Sequence, residues 1–147
     1  LKLLFPIKNL QIKHLNLSST AVTKEMKHVS RMPLVSLNMN DTALTNKLLS
    51  SLESHKSLTR LSLARTPLSD LSVLPSMKII ELDISGIPCR DFSPLNKCTD
   101  LRVVYCSIEQ KNFLENKLKG NNIKLIITPL NHPIQHWVYE SREYKYP

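Results

Sequence analysis

The chain has 147 residues, 41% apolar and 22% charged, with 20 Lys+Arg against 12 Asp+Glu and a formal charge of +8. That is the balance of a folded globular domain and excludes a disordered one. Two glycines, Gly86 and Gly120, leave no glycine-rich loop to cradle a phosphate, so P-loop and dinucleotide-binding designs are excluded as well.

The opening stretch, Leu1 to Phe5 followed by Pro6, is too short for a secretory signal with its cleavage site, so any export signal has been removed or never existed. It reads as part of a return segment from an earlier coil, and the chain is on that reading expected to be the end of a longer array or protein. From residue 12 onward an apolar frame recurs, with apolar side chains at positions 1, 4 and 6 and a small polar residue at 9. The first copy is Ile12, Leu15, Leu17 and Thr20; the second Leu34, Leu37, Met39 and Thr42; the third Leu58, Leu61, Leu63 and Thr66. The fourth, Ile79, Leu82 and Ile84, carries Ile87 where threonine is expected, and the fifth, Leu101, Val104 and Cys106, carries Glu109. A degenerate sixth uses Ile123 and Ile126 and ends at Thr128. Starts at 12, 34, 58, 79, 101 and 123 are spaced by 21 to 24 residues.

Apolar side chains two apart give a short strand with one buried face. A parallel strand 21 to 24 residues later requires a return segment behind the sheet. No single unit can shelter its own leucines; stacked neighbours do so. The returns 23–30 and 45–55 read as helical, the second with Thr45 as cap. Those at 69–75 and 90–95 carry prolines and favour turns and single 3₁₀ turns. Residues 109–118 read as an amphipathic helix burying Phe113, Leu114 and Leu118, stopped by Gly120.

This frame resembles the leucine-rich repeat, LxxLxLxx(N/T)xL, over roughly residues 10 to 128. The stretches MPLVSLNMNDTALT, ARTPLSDLSVLPSM and SGIPCRDFSPLNKC look most like threonine-type bacterial repeats. The Pro-Leu-Ser-Asp-Leu-Ser unit is similar to arrays found C-terminal to bacterial Ser/Thr protein kinase domains. The resemblance implies an α/β solenoid, right-handed, of about six repeats. Its parallel sheet would lie on the concave face and its short α and 3₁₀ segments on the convex one. The solenoid is expected over 1–128. Residues 129–147, with Trp137 and three tyrosines, are expected as a C-terminal capping extension rather than an aromatic partner-binding tail.

In that frame the polar strand positions form an open surface. Position 3 holds His14, Ser36, Arg60, Glu81 and Val103; position 5 Asn16, Asn38, Ser62, Asp83 and Tyr105; position 7 Ser18, Asn40, Ala64, Ser85 and Ser107; position 8 Ser19, Asp41, Arg65, Gly86 and Ile108. Arginine and tyrosine are common interface anchors, which selects Asn38, Asn40, Arg60, Arg65, Glu81, Asp83 and Tyr105 as the expected partner-binding set, centred on Arg60, Asp83 and Tyr105. The plainer alternative is that Arg60 and Glu81 pair across neighbouring strands on a solvated surface.

Other constellations point to less. Ten basic and three acidic residues fall in 1–69, but Lys24, Lys27, Arg31, Lys47 and Lys56 belong mainly to the returns, and Phe5 is the one aromatic there, so nucleic-acid binding is disfavoured. His132 and His136 lack a third zinc ligand. Cys89 and Cys106 fill apolar slots as buried thiols, and Cys98 has no base nearby in the pattern. Asn16-Leu-Ser18 and Asn40-Asp-Thr42 match a glycosylation acceptor, a match the repeat itself explains. Glu81 and Asp83 share a strand face without the companions of a glycosidase site.

The expectation is therefore a non-catalytic scaffold for a protein or peptide, without cofactor or metal; the alternative is a sensory or substrate-recruiting segment of a receptor-like kinase. A cytoplasmic setting is favoured, an extracytoplasmic one following if the chain belongs to a receptor. Oligomeric state is left open.

Overall fold

The computed structural model describes residues 10–21 and 26–129. Six short strands form one parallel sheet in sequence order: β1 (His14–Asn16), β2 (Ser36–Asn38), β3 (Arg60–Ser62), β4 (Glu81–Asp83), β5 (Val103–Cys106) and β6 (Lys124–Ile127). Leu15, Leu37, Leu61, Leu82 and Val104 stand side by side on successive strands, as the spacing requires. Position 4 and position 6 side chains point into one continuous core; Leu37, Met39, Leu61, Leu63, Ile84, Val104 and Cys106 are wholly buried there. The architecture is a leucine-rich-repeat solenoid.

Each return closes the core from behind. The described part of the first return is α1 (Met26–Val29), the second holds α2 (Asn46–Ser50), and the fifth α3 (Ile108–Lys117). The third and fourth use 3₁₀ turns at Leu74–Ser76 and Ser93–Lys97, each with proline in its first turn, as proline chemistry demands. The second return, read from the sequence as helical through 55, leaves the α-helix at Ser50. There Ser50 Oγ donates to the Asn46 carbonyl at 3.0 Å and Ser51 Oγ to the Leu48 carbonyl at 2.6 Å. The backbone beyond tightens into bonds three residues back, such as His55 N to Leu52 O at 2.9 Å. Serine hydroxyls competing for helix carbonyls favour that tightening.

Two further expectations are corrected. Phe113 is 65% exposed, whereas Leu114 and Leu118 are buried; one residue along a helix is a rotation of about 100°, which carries Phe113 off the inner face. In the sixth unit, Leu125 pairs with Val104 and Ile126 with Tyr105. The inward residue is therefore Leu125, and Ile126 lies on the Tyr105 face, one residue out of step with the frame read from the sequence. A single-residue slip of a strand exchanges its two faces. The proposed C-terminal cap beyond 129, with His132, His136 and Trp137, lies outside the described residues.

Candidate functional site: the concave sheet

The first four coils turn their corner at position 8, where the residue has positive φ: Ser19 56°, Asp41 55°, Arg65 56° and Gly86 71°. After the corner, the position 9 threonine donates to the carbonyl of position 6, Thr20 to Leu17 at 2.5 Å, Thr42 to Met39 at 2.7 Å and Thr66 to Leu63 at 2.6 Å. The recurrent threonine thus satisfies a backbone acceptor at the end of each strand. Neighbouring coils are tied at the same place, with position 8 N–H groups donating to position 7 carbonyls of the next unit: Ser19 to Asn40, Asp41 to Ala64 and Arg65 to Ser85 at 2.9–3.0 Å.

The fourth unit breaks both patterns, and one side chain repairs them. Ile87 has no hydroxyl for the Ile84 carbonyl. Ser107 begins α3, so its carbonyl accepts from Lys111 N at 3.2 Å. Gln110, 8% exposed, donates its Nε2 to Ile84 O at 2.8 Å, accepts Ser107 N at 2.8 Å and accepts Gly86 N at 3.4 Å on Oε1. With Ser107 Oγ accepting Gln110 N, the pair forms a capping box, the reciprocal arrangement that satisfies two orphan donors. Glu109, in the threonine slot by sequence, is exposed.

The seven residues expected to meet a partner divide into two groups. Arg60, Glu81 and Arg65 keep partly exposed side chains, 24%, 18% and 25%. Arg60 Nε and Glu81 Oε1 lie 3.3 Å apart across β3 and β4, so the cross-strand pair is present. Arg65 holds Asp41 in a two-pronged bond at 2.6 Å from both Nε and its second guanidinium nitrogen, which keeps the Asp41 carboxyl below its ordinary range. His14 Nδ1 and Ser36 Oγ, 2.8 Å apart, stand in the same cross-strand relation on β1 and β2.

Asn38, Asn40, Asp83 and Tyr105, by contrast, are buried. For Asn38 and Asp83 the reason is the strand end: a position 5 oxygen accepts the position 7 N–H of its own coil, Asn16 from Ser18 at 3.0 Å, Asn38 from Asn40 at 2.9 Å and Asp83 from Ser85 at 2.9 Å. These local bonds resemble Asx turns and draw the polar group down against the sheet. Ser62 cannot reach its own coil's N–H in this way. Ala64 N donates instead to Asn40 Oδ1 at 2.8 Å. Asn40 Nδ2 has no partner among the described residues. Tyr105 packs with Val103 and Ile126 in a small apolar cluster separate from the main core. Ile126 is absent from the expected site residues, because the misplaced frame turns it inward.

Asp83 and Glu81 do not form an exposed carboxyl pair, since one is buried among serines and the other pairs with arginine. All three cysteines are buried and free, and burial pushes the Cys98 and Cys106 thiols up to about 11, away from reactive thiolate chemistry. Asn40 is 1% exposed. Among the described residues no His/Cys/Asp/Glu cluster could hold a metal ion, and no helix is long and apolar enough to cross a membrane. A separate apolar cleft of about 440 Å³, lined by Cys89, Arg90, Phe92, Glu109, Gln110 and Phe113, lies between the fourth return and α3.

A solenoid of leucine-rich repeats with a laddered polar surface is the class of fold these features define. Among solved structures, the chain is similar to internalin C2 of Listeria monocytogenes (TM-score 0.59, 23% identity, 79% of this chain and 51% of that one). It is also similar to an internalin, inlF, of the same organism (TM-score 0.58, 19% identity, 86% and 46%). It spans about half the length of each. At such identities the likeness is one of fold. No family model and no curated protein matches the chain, and nothing in these matches bears on the resemblance to kinase-linked arrays.

Proposed function

We propose that the protein is a non-catalytic scaffold that binds a protein or peptide on its concave sheet. One observation carries the reading: the register sets His14, Ser36, Arg60, Glu81, Val103 and Lys124 in a single row across all six strands. The row is at least partly exposed throughout, while Asn38, Asn40, Ser62 and Asp83 beside it are taken up by internal hydrogen bonds. It passes from paired charges at β3 and β4 to the apolar Val103–Tyr105–Ile126 cluster. A partner suited to it carries charged groups that compete for Arg60 and Glu81, and an apolar side chain for the β5–β6 end. Arg65 with Asp41 flanks the row. The buried Asn38, Asn40 and Asp83 shape the surface rather than touch the partner.

The test is a charge reversal, Arg60→Glu with Glu81→Arg, which keeps the cross-strand pair but exchanges its poles. A partner recovered with the wild-type chain is expected to bind the double variant at least tenfold more weakly, with the melting temperature unchanged. Undiminished binding, combined with loss of binding on substituting exposed residues of the convex returns such as Glu53 or Lys97, would move the site to the other face.

A further inference from the structure

We propose that Asp83 stands in the folded protein at neutral pH as an uncharged carboxylic acid, taking the part of a carboxamide, with its Oδ2–H donated to Ser62 Oγ to join β4 to β3.

The inference comes from counting hydrogens. Ala64 N–H meets Asn40 Oδ1 at 2.8 Å, which fixes that amide's orientation, because reversing it would set N–H groups against each other. Ser62 Oγ lies 2.5 Å from the same Asn40 oxygen. Two oxygens so close need a proton between them, and a serine hydroxyl has one. Ser62 therefore has no hydrogen left for Asp83 Oδ2, 3.2 Å away on its other side. An ionised Oδ2 would press its lone pairs against those of Ser62, with both residues at 0% exposure. A proton on Oδ2 turns that contact into a hydrogen bond, continuing from Asp83 through Ser62 to Asn40.

The other oxygen behaves differently, as an acid's carbonyl oxygen would. Asp83 Oδ1 accepts Ser85 N at 2.9 Å and Ser85 Oγ at 2.6 Å, and Ser85 Oγ is in turn bonded to Thr128 Oγ1. The repeat supplies an internal comparison. Asn16 and Asn38 occupy the same position in the first two units and use their amide oxygen in the same way. The slot thus takes a planar group whose one oxygen accepts the position 7 N–H, and a neutral acid is the shape-matched equivalent of asparagine.

The charged and titratable groups of the surrounding units are Arg60 and Arg65 of the third, Glu81 on β4, Tyr105 and Cys106 on β5, and Asp41 of the second. Arg60 is paired with Glu81 and Arg65 with Asp41; the Arg65 charge also acts on Asp83, favouring its ionised form. Burial raises the Asp83 pKa from 3.8, against the lowering effect of its hydrogen bonds from Ser85 and of Arg65; Ser62 lowers it only if its hydroxyl is given to Asp83, and that proton goes to Asn40. Because the folded-state value is raised, Asp83 contributes most to stability below 3.8, and that contribution falls as pH rises toward the folded-state value.

Asp83→Asn separates the two protonation states, since asparagine keeps the acceptor and supplies a permanent donor. The variant is expected to melt at or above the wild-type temperature at pH 7, with the advantage shrinking toward pH 4. A variant several degrees less stable at pH 7, converging on wild type in acid, would show that the carboxylate is ionised and overturn the proposal. Carbon-13 NMR of the wild-type carboxyl, assigned by its absence in Asp83→Asn or by sequential assignment if that variant fails to fold, gives a direct reading. A protonated-acid shift persisting to pH 7 is expected; a carboxylate shift at pH 7 refutes it. Neither readout depends on what binds the concave face.

Discussion

Replacing Gln110 with alanine removes the one side chain that stands in for the threonine hydroxyl Ile87 lacks and for the Ser107 carbonyl lost to α3. Two well-formed bonds disappear, Nε2 to Ile84 O and Ser107 N to Oε1, each 2.8 Å, along with a weaker one from Gly86 N at 3.4 Å. At about 1 kcal/mol net per neutral bond, with a further penalty for a buried donor left unpaired, the loss comes to about 2–3 kcal/mol. The Ile84 carbonyl keeps Ile87 N–H at 3.3 Å, which holds the figure to that range. For a domain of this size the melting temperature should fall by roughly 5–10 °C.

The diagnostic step is to put the absent threonine back. In Ile87→Thr a hydroxyl can reach Ile84 O as Thr20, Thr42 and Thr66 reach their own carbonyls. In the wild-type background the change forfeits buried apolar surface for no new need and should be destabilising. In the Gln110→Ala background it should recover about 1 kcal/mol, the worth of one hydrogen bond. Urea melts of the four proteins followed by circular dichroism give the coupling directly. Additive effects, or a Gln110→Ala cost within about 0.5 kcal/mol of wild type, the range of an ordinary surface change, would refute the compensation.

Leu61 is wholly buried between Leu37 and Leu82. Leu61→Ala should cost about 2–5 kcal/mol, and Leu61→Asp, which buries an unpaired charge, should abolish the cooperative melt; a soluble Leu61→Asp protein with an unaltered melting temperature would contradict the packing account. Arg65, at φ 56°, holds its corner at a cost in backbone strain. Arg65→Gly and Arg65→Ala lose the same Asp41 contacts, so the glycine variant should exceed the alanine variant by about 1 kcal/mol, seen as a higher melting temperature. Equal stability would deny that the corner is strained.

The order of strands and the leucines that meet on them were readable from spacing alone. A 21–24 residue period with alternating apolar positions admits one simple packing, neighbour upon neighbour, and Leu37, Leu61 and Leu82 stand where it puts them. The proline-bearing returns were equally legible, because proline restricts the backbone locally whatever surrounds it. Legibility faded where an outcome hung on a neighbour. The sixth strand slipped by one residue because Ile123, Leu125 and Ile126 offer two apolar registers, and pairing with β5 chose between them. Phe113 turned outward because α3 begins at the Ser107 cap.

The polar residues show the boundary most clearly. Sequence periodicity places Asn38, Asn40, Asp83 and Tyr105 on the sheet's outer row, yet it cannot say whether such groups meet water or backbone. The burial of Asn38, Asn40 and Asp83 follows from N–H groups that the coil corners expose two residues away and one unit across, in positions fixed only once the coils have stacked, and Tyr105 is covered by Val103 and Ile126. Gln110 belongs to the same class: Ser107-x-x-Gln110 marks it locally as a capping-box residue, but its bond to the Ile84 carbonyl matters because Ile87, a coil earlier, lacks a hydroxyl. Apolar side chains need only a place out of water, and a repeating pattern specifies that place. Polar side chains need a partner at hydrogen-bond distance and angle, which is a property of the assembled chain.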